Sequence, residues 1–151
     1  MESFFNFTTL ENKPTYTLGK NERLKSRKAI EQLFVSGKSF SLFPFKVVYQ
    51  KPVSTDQASA RSEQLQTAFS VSKRYFKKAV HRNRIKRLMR EAYRLQKNEL
   101  QTSLQQSGNN IHVFIIYIGN EVPEYDLVSS KIKAVLVRLK KIANEEAAAN
   151  T

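Results

Sequence analysis

The 151 residues carry 26 Lys and Arg against 13 Asp and Glu, a net charge of +13, while 40% hydrophobic residues, ten Phe and six Tyr supply a core for one domain and no second one. The absence of cysteine excludes a disulfide framework, a thiolate metal site and a cysteine nucleophile, and two isolated histidines leave little for zinc or a serine-type triad. The longest apolar run, Val113 to Ile118 (VFIIYI), is too short to span a bilayer, and the N-terminus has no basic segment ahead of its apolar patch, so a cytoplasmic protein with no membrane partner is expected.

Residues 1–20 read as a flexible N-terminal arm closed by Pro14 and Gly19, with Phe4, Phe5 and Phe7 as a small apolar patch. A helix follows. Ser26 can cap it, Ala29, Ile30, Leu33 and Phe34 recur along one side, and Gly37 ends it. Residues 43–50 (FPFKVVYQ) alternate as a strand with Phe45, Val47 and Tyr49 on one face, and Pro44 puts this strand near an edge or marks a late start. Residues 51–64 are polar, Ser/Ala-rich and aperiodic, so 52–64 is a long loop between paired strands and not a linker between domains.

Residues 65–73 (LQTAFSVSK) make a second strand with Leu65, Thr67, Phe69 and Val71 on one face. A strongly basic helix starts near Ala79 or Val80 and runs to about Leu104, and residues 105–110 connect it to the next element. Ile111 to Ile118 is apolar on both faces, the mark of a buried central strand, with His112 as a structural imidazole. A last helix spans Asp126 to Ala143 with Val128, Ile132, Val135, Leu136, Leu139 and Ile142 at helical spacing, and 144–151 is a frayed tail. The order α-β-β-α-β-α, with room for one extra short strand, describes an α+β fold, a two-layer α/β sandwich formed by a single domain over 21–143.

The charge is concentrated. From Lys73 to Lys97 there are eleven Lys or Arg and one acid, Glu91, so these 25 residues hold ten of the thirteen net positive charges. On a helical wheel Leu95, Leu88, Ala92, Ile85 and Met89 fall in an arc of roughly 120°, which can face a core. Arg82, Tyr93, Lys86, Lys97, Arg90, Asn83, Arg94, Arg87 and Arg84 fill the rest. A merely solvated face alternates its signs for i,i+4 pairing, whereas this one stacks like charges at Arg82, Lys86 and Arg90. Such repulsion is relieved by a polyanion, which favours nucleic acid.

The run Phe76-x-x-Ala79-x-x-Arg82-Asn83-Arg84-Ile85-Lys86-Arg87-x-Met89-Arg90 resembles the signature of the bacterial ribonuclease P protein subunit. The likeness extends to Leu33-Phe34-x-x-Gly37, the aromatic strand over 43–49 and Phe69-Ser70-Val71-Ser72-Lys73, and covers about 18–143. The resemblance implies a protein that assists a catalytic RNA, the ribonuclease P RNA, in endonucleolytic removal of the 5′ leader from precursor tRNA. No catalytic residue and no metal site is then expected on the protein, and Mg2+ is held mainly by the RNA subunit. It places Arg82, Asn83, Arg84, Lys86, Arg87 and Arg90 against the catalytic RNA, where Arg forks grip phosphate and Asn83 reaches a base edge or 2′-hydroxyl.

It also implies a cleft between the first helix and the sheet for the single-stranded leader, lined by Phe34, Ile30, Lys46, Val48 and Lys73. Ile30 stands where the family has an aromatic residue. The strand position that is often Tyr aligns with Val48, with Tyr49 one residue later, which leaves Tyr49 as either core or cleft. The family's βαβ crossover through the basic helix is left-handed, as in the ribosomal-protein-type fold, against the general preference.

A structural RNA-binding protein, ribosomal or an assembly factor, shares the charge, size and fold class and is the alternative. DNA is not expected as a partner, because the sequence lacks a preceding short helix and turn. A protein nuclease is disfavoured by the scatter of its acids.

Overall fold

The structure is a computed structural model that describes residues 17–51 and 64–149; the expectations for 1–16 and for most of the long loop lie outside the described residues. After a single 3-10 turn at Lys20–Glu22 come α1 (Arg27–Ser36), β1 (Lys38–Leu42), β2 (Phe45–Gln50) and β3 (Leu65–Val71). Then follow α2 (Ala79–Gln96), α3 (Asn98–Ser107), β4 (Ile111–Tyr117) and α4 (Tyr125–Ala149). One sheet runs in the order β1-β2-β4-β3, antiparallel except for the parallel β3–β4 pair, so the strands on either side of 52–64 are not paired with each other as expected: the two-sided apolar β4 inserts between β2 and β3.

Helix α1 begins and ends where its residues dictate. The Ser26 side chain accepts from the Ala29 N–H at 3.3 Å, and the Gly37 N–H closes the last turn on the Leu33 carbonyl. A Cβ at Gly37 would stand 2.3 Å from that carbonyl oxygen, so glycine is needed here for close approach. The chain turns directly into β1, the extra short strand, which makes a hairpin with β2 across the Phe43–Pro44 cis bond. Pro44 therefore marks a late start at Phe45, and β2 lies inside the sheet.

The face carrying Phe45, Val47, Thr67, Val71, Val113, Ile115 and Tyr117 is buried under α2, α3 and α4. Helix α4 contributes Val128, Ile132, Val135, Leu136 and Leu139, the side predicted by its spacing, and its helical backbone continues through Ala149 into the segment expected to fray. Tyr49 belongs to this core, its ring tilted against Phe40 at 5.8 Å. On the other face of the sheet α1 builds a small second core from Leu33, Leu24 and Val48. Central β4 is apolar on both sides for this reason.

The basic helix departs from expectation in two ways. It stops at Gln96, and Lys97, still in the right-handed helical region, joins it to α3, which runs on to a left-handed Gly108 through what was expected to be a connection. Its buried stripe is also rotated: Ile85, Met89 and Ala92 are buried with Tyr93, and Lys97 is fully buried, whereas Leu95 is 41% exposed. The rotation follows from polar partners within the core. Tyr93 shares a 2.7 Å hydrogen bond with Thr67, and the side-chain amide of Gln96 donates to the Ser129 carbonyl of α4.

Candidate nucleic-acid interface

Helix α2 presents its cations unequally. Asn83, Arg84, Arg87 and Arg90 are exposed, and Arg82 and Lys86 are half-buried. Arg82 is partly engaged by its own chain, because its Nη1 donates to the Phe76 carbonyl at 2.7 Å and to the Lys77 carbonyl at 2.8 Å. The turn before α2 is thereby fastened to the helix's first turn, with the Phe76 ring buried against Tyr117. Glu91 is taken up by Arg94, which donates to its two oxygens at 2.6 and 2.8 Å. That hydrogen bonding and the charge of Arg94 hold the Glu91 carboxyl below its ordinary pKa.

The turn at Lys20–Glu22 lies against this helix. Its Glu22 carboxylate accepts from Lys97, from Gln101 and from the Gly19 N–H, and Lys97 also donates to the Thr17 carbonyl. Burial pushes the Glu22 carboxyl up, but these donors and the Lys97 charge outweigh it and leave the carboxyl below its ordinary value. Between this segment and α2 lies a cavity of about 370 Å³ lined by Thr17, Leu18, Arg23, Arg87, Arg90, Glu91 and Arg94. Arg23 was not singled out in the sequence, because its neighbourhood is created by a contact between distant parts of the chain.

The second candidate surface is the sheet face around α1. Phe34 is 50% exposed and meets Phe114 edge-on, with ring centroids 5.0 Å apart. Ile30 is half-buried against the small core and Val48 is buried in it. Strand pairing puts Val48 opposite Phe114 and Lys46 opposite Ile116, so Phe34, Ile30, Lys46 and Val48 share this face with two β4 residues. Phe114 and Ile116 were missed as individual residues, although the two-sided apolarity of their strand was the available signal. Lys73 is exposed in the turn beyond β3. His112, half-buried between Gln50 and Gln66 in register, has its pKa lowered by burial, so the ring is neutral at neutral pH.

Among the described residues no group of three His, Cys, Asp or Glu side chains is arranged to hold a metal ion, and no helix is long and apolar enough to cross a membrane.

Known proteins resemble this chain over the same region. The family model described as Ribonuclease P matches residues 18–141. The "Ribonuclease P protein component" of Porphyromonas gingivalis is 37% identical over 126 residues, covering 83% of this chain and 88% of the relative. That of Chlorobium phaeobacteroides is 39% identical over 127 residues, covering 80% and 86% respectively. The solved RNase P protein of Thermotoga maritima shares the fold, with a TM-score of 0.58 at 23% identity over 78% of this chain and 96% of that one. The Staphylococcus aureus RNase P protein does so with a TM-score of 0.52 at 23% identity, over 81% and 94%. With a basic helix spaced as the family's signature requires, a matching fold and relatives alike over nearly their whole length, the chain belongs to the ribonuclease P protein family.

Proposed function

We propose that this chain acts in tRNA 5′ maturation as the protein subunit of a holoenzyme whose catalyst is its RNA. The exposed cations of α2 grip that RNA, and the face between α1 and the sheet holds the leader of precursor tRNA. The observation that carries this reading is the division of labour within α2. Ile85, Met89, Ala92 and Tyr93 anchor the helix in the core, while Arg84, Arg87 and Arg90 stand in solvent without an acidic partner among the described ion pairs. Arg suits the role because its planar fork matches phosphate oxygens.

The leader surface is supported by an exposed aromatic ring, Phe34, set against Phe114 with Lys46 on the same face. Stacking plus a backbone-following cation binds single strands without strong sequence preference. The described side chains do not fit a resident divalent metal. In this reading Mg2+ belongs to the RNA, and the protein contributes binding and positioning.

The test is reconstitution. The protein is added at low magnesium to the ribonuclease P RNA of the same genome, and 5′ processing of precursor tRNA is followed. Stimulated cleavage is expected. Tight binding without stimulation would identify a structural RNA-binding protein, and absence of binding would reject the reading.

A further inference from the structure

We propose that Arg23, Arg87 and Arg90 form one phosphate-binding pocket for the RNA backbone, assembled when the Glu22–Lys97 ion pair fastens residues 17–24 against α2. The inference rests on the reading of α2 as an RNA-binding helix. It adds a second wall to that surface from a part of the chain outside the basic helix.

Three observations carry it. First, Arg23 shares the 370 Å³ cavity with Arg87 and Arg90, and none of the three has an ion-pair partner among the described residues. Among the described residues the only acid lining the cavity, Glu91, is committed to Arg94. Like charges gathered around a hollow repel one another until an anion enters.

Second, Arg23 is held in place from both sides. Glu22 before it is clamped by the buried Lys97, and Leu24 after it is buried, its N–H donating to the Thr67 carbonyl at 3.1 Å. A guanidinium on an anchored backbone loses less entropy on binding than one on a loose arm. Third, the lining matches the ligand's chemistry. Guanidinium forks from two directions can satisfy several oxygens of one tetrahedral phosphate, which a single helix face cannot surround.

The experiment measures affinity for the ribonuclease P RNA of the same genome with Arg23→Gln, Arg87→Gln, the double variant and Arg84→Gln, whose position lies outside the cavity. If Arg23 and Arg87 grip one phosphate, each single change weakens binding about ten-fold. The double variant then loses much less than the hundred-fold product. The salt slope of log K becomes shallower by about 0.7 to 0.9, by the same amount in the double variant as in either single one. Arg23→Lys restores the slope but only part of the affinity, because the charge returns without the fork.

Native affinity of Arg23→Gln, or losses that multiply with twice the slope change, overturns the pocket. Loss in Arg84→Gln with none in Arg23→Gln rejects the pocket alone, whereas no loss in any variant rejects the RNA-binding reading beneath it. Titration of the native protein with inorganic phosphate, followed by NMR of the arginine Nε–H groups, is an independent check. Arg23 and Arg87 should shift together at the same phosphate concentration, and shifts of Arg87 alone would overturn the shared pocket.

Discussion

Lys97 donates from its ammonium to the carboxylate of Glu22, 75 residues earlier in the chain, from a side chain with no solvent exposure. The partners are not equally buried. Glu22 keeps 11% side-chain exposure and two further donors, Gln101 and the Gly19 N–H, whereas among the described residues Lys97 has only Glu22 and the Thr17 carbonyl. Removing one partner of a buried pair costs about 3–5 kcal/mol because the other charge is stranded. Glu22→Gln, which strands the fully buried ammonium, is therefore expected to lower stability more than Lys97→Met, which leaves a carboxylate with remaining donors. Denaturant unfolding checks this, and the reverse order would contradict the asymmetry.

The same pair sets an acid limit. The folded-state pKa of Glu22 lies below its ordinary 4.5, so the unfolded chain takes up the proton first as the pH falls. The stabilisation is complete above pH 4.5 and is lost progressively below it, through the lower folded-state value. Stability measured from pH 6 to pH 3 should fall more steeply in the native protein than in a Glu22→Gln/Lys97→Met double variant. Parallel curves would show that Glu22 does not dominate the acid limb.

Tyr93 and Thr67 tie α2 to β3 through a buried 2.7 Å hydrogen bond. Tyr93→Phe leaves the Thr67 hydroxyl buried without this partner, at a cost of about 1–3 kcal/mol, and adding Thr67→Val should recover much of it by removing the orphan. Burial raises the Tyr93 pKa well above its ordinary value of 10.0. Above pH 10 the unfolded chain ionises and the folded one does not, so stability declines with rising pH. The decline should be shallower in Tyr93→Phe; an unchanged alkaline limb would count against this.

Periodicity was sufficient for β2, β3 and β4, for both ends of α1 and for the core side of α4, because each depends on residues close in sequence, whereas β1, a five-residue strand with one buried side chain, left too little pattern to be placed. The basic helix shows where it fails. A wheel ranks Leu95 as apolar and Lys97 as cationic, and the fold exposes the first and buries the second, since Glu22, Thr17 and Gln101 make a polar niche that only tertiary contact creates. Arg23 and Phe114 were obscured for the same reason. Tyr49, ambiguous by one residue of register, was decided by the β2–β4 pairing that turns Val48 toward α1.

Within the signature, Arg82 and Arg84 should behave differently. Arg82 braces two carbonyls of the preceding turn, so Arg82→Ala is expected to lower stability by about 1.5–3 kcal/mol and to weaken RNA binding. Arg84 is exposed, and Arg84→Ala should leave stability within about 0.5 kcal/mol while still weakening binding. With about five cations meeting phosphates, log K of the native protein should fall against log salt with a slope of about −3.5 to −4.5. Thermal melts paired with salt-dependent titrations check all three. A nearly flat salt response would remove α2 as the binding surface.

Phe34 tests the other face. Half its surface is in solvent and its packed edge meets Phe114, so Phe34→Ala should cost only about 1 kcal/mol of stability. A base stacked on the exposed ring is worth about 1–3 kcal/mol, so affinity for precursor tRNA bearing a leader should fall roughly 5- to 150-fold. Leaderless tRNA, which has no strand to lay on this face, should bind as before. Phe34→Leu keeps most of the packing but not the flat ring, and it should reproduce the leader-specific loss with a smaller change in melting temperature. Equal losses for the two substrates would mean that Phe34 supports the fold near α1 and does not touch the leader, leaving Lys46 and Ile116 without their proposed ligand.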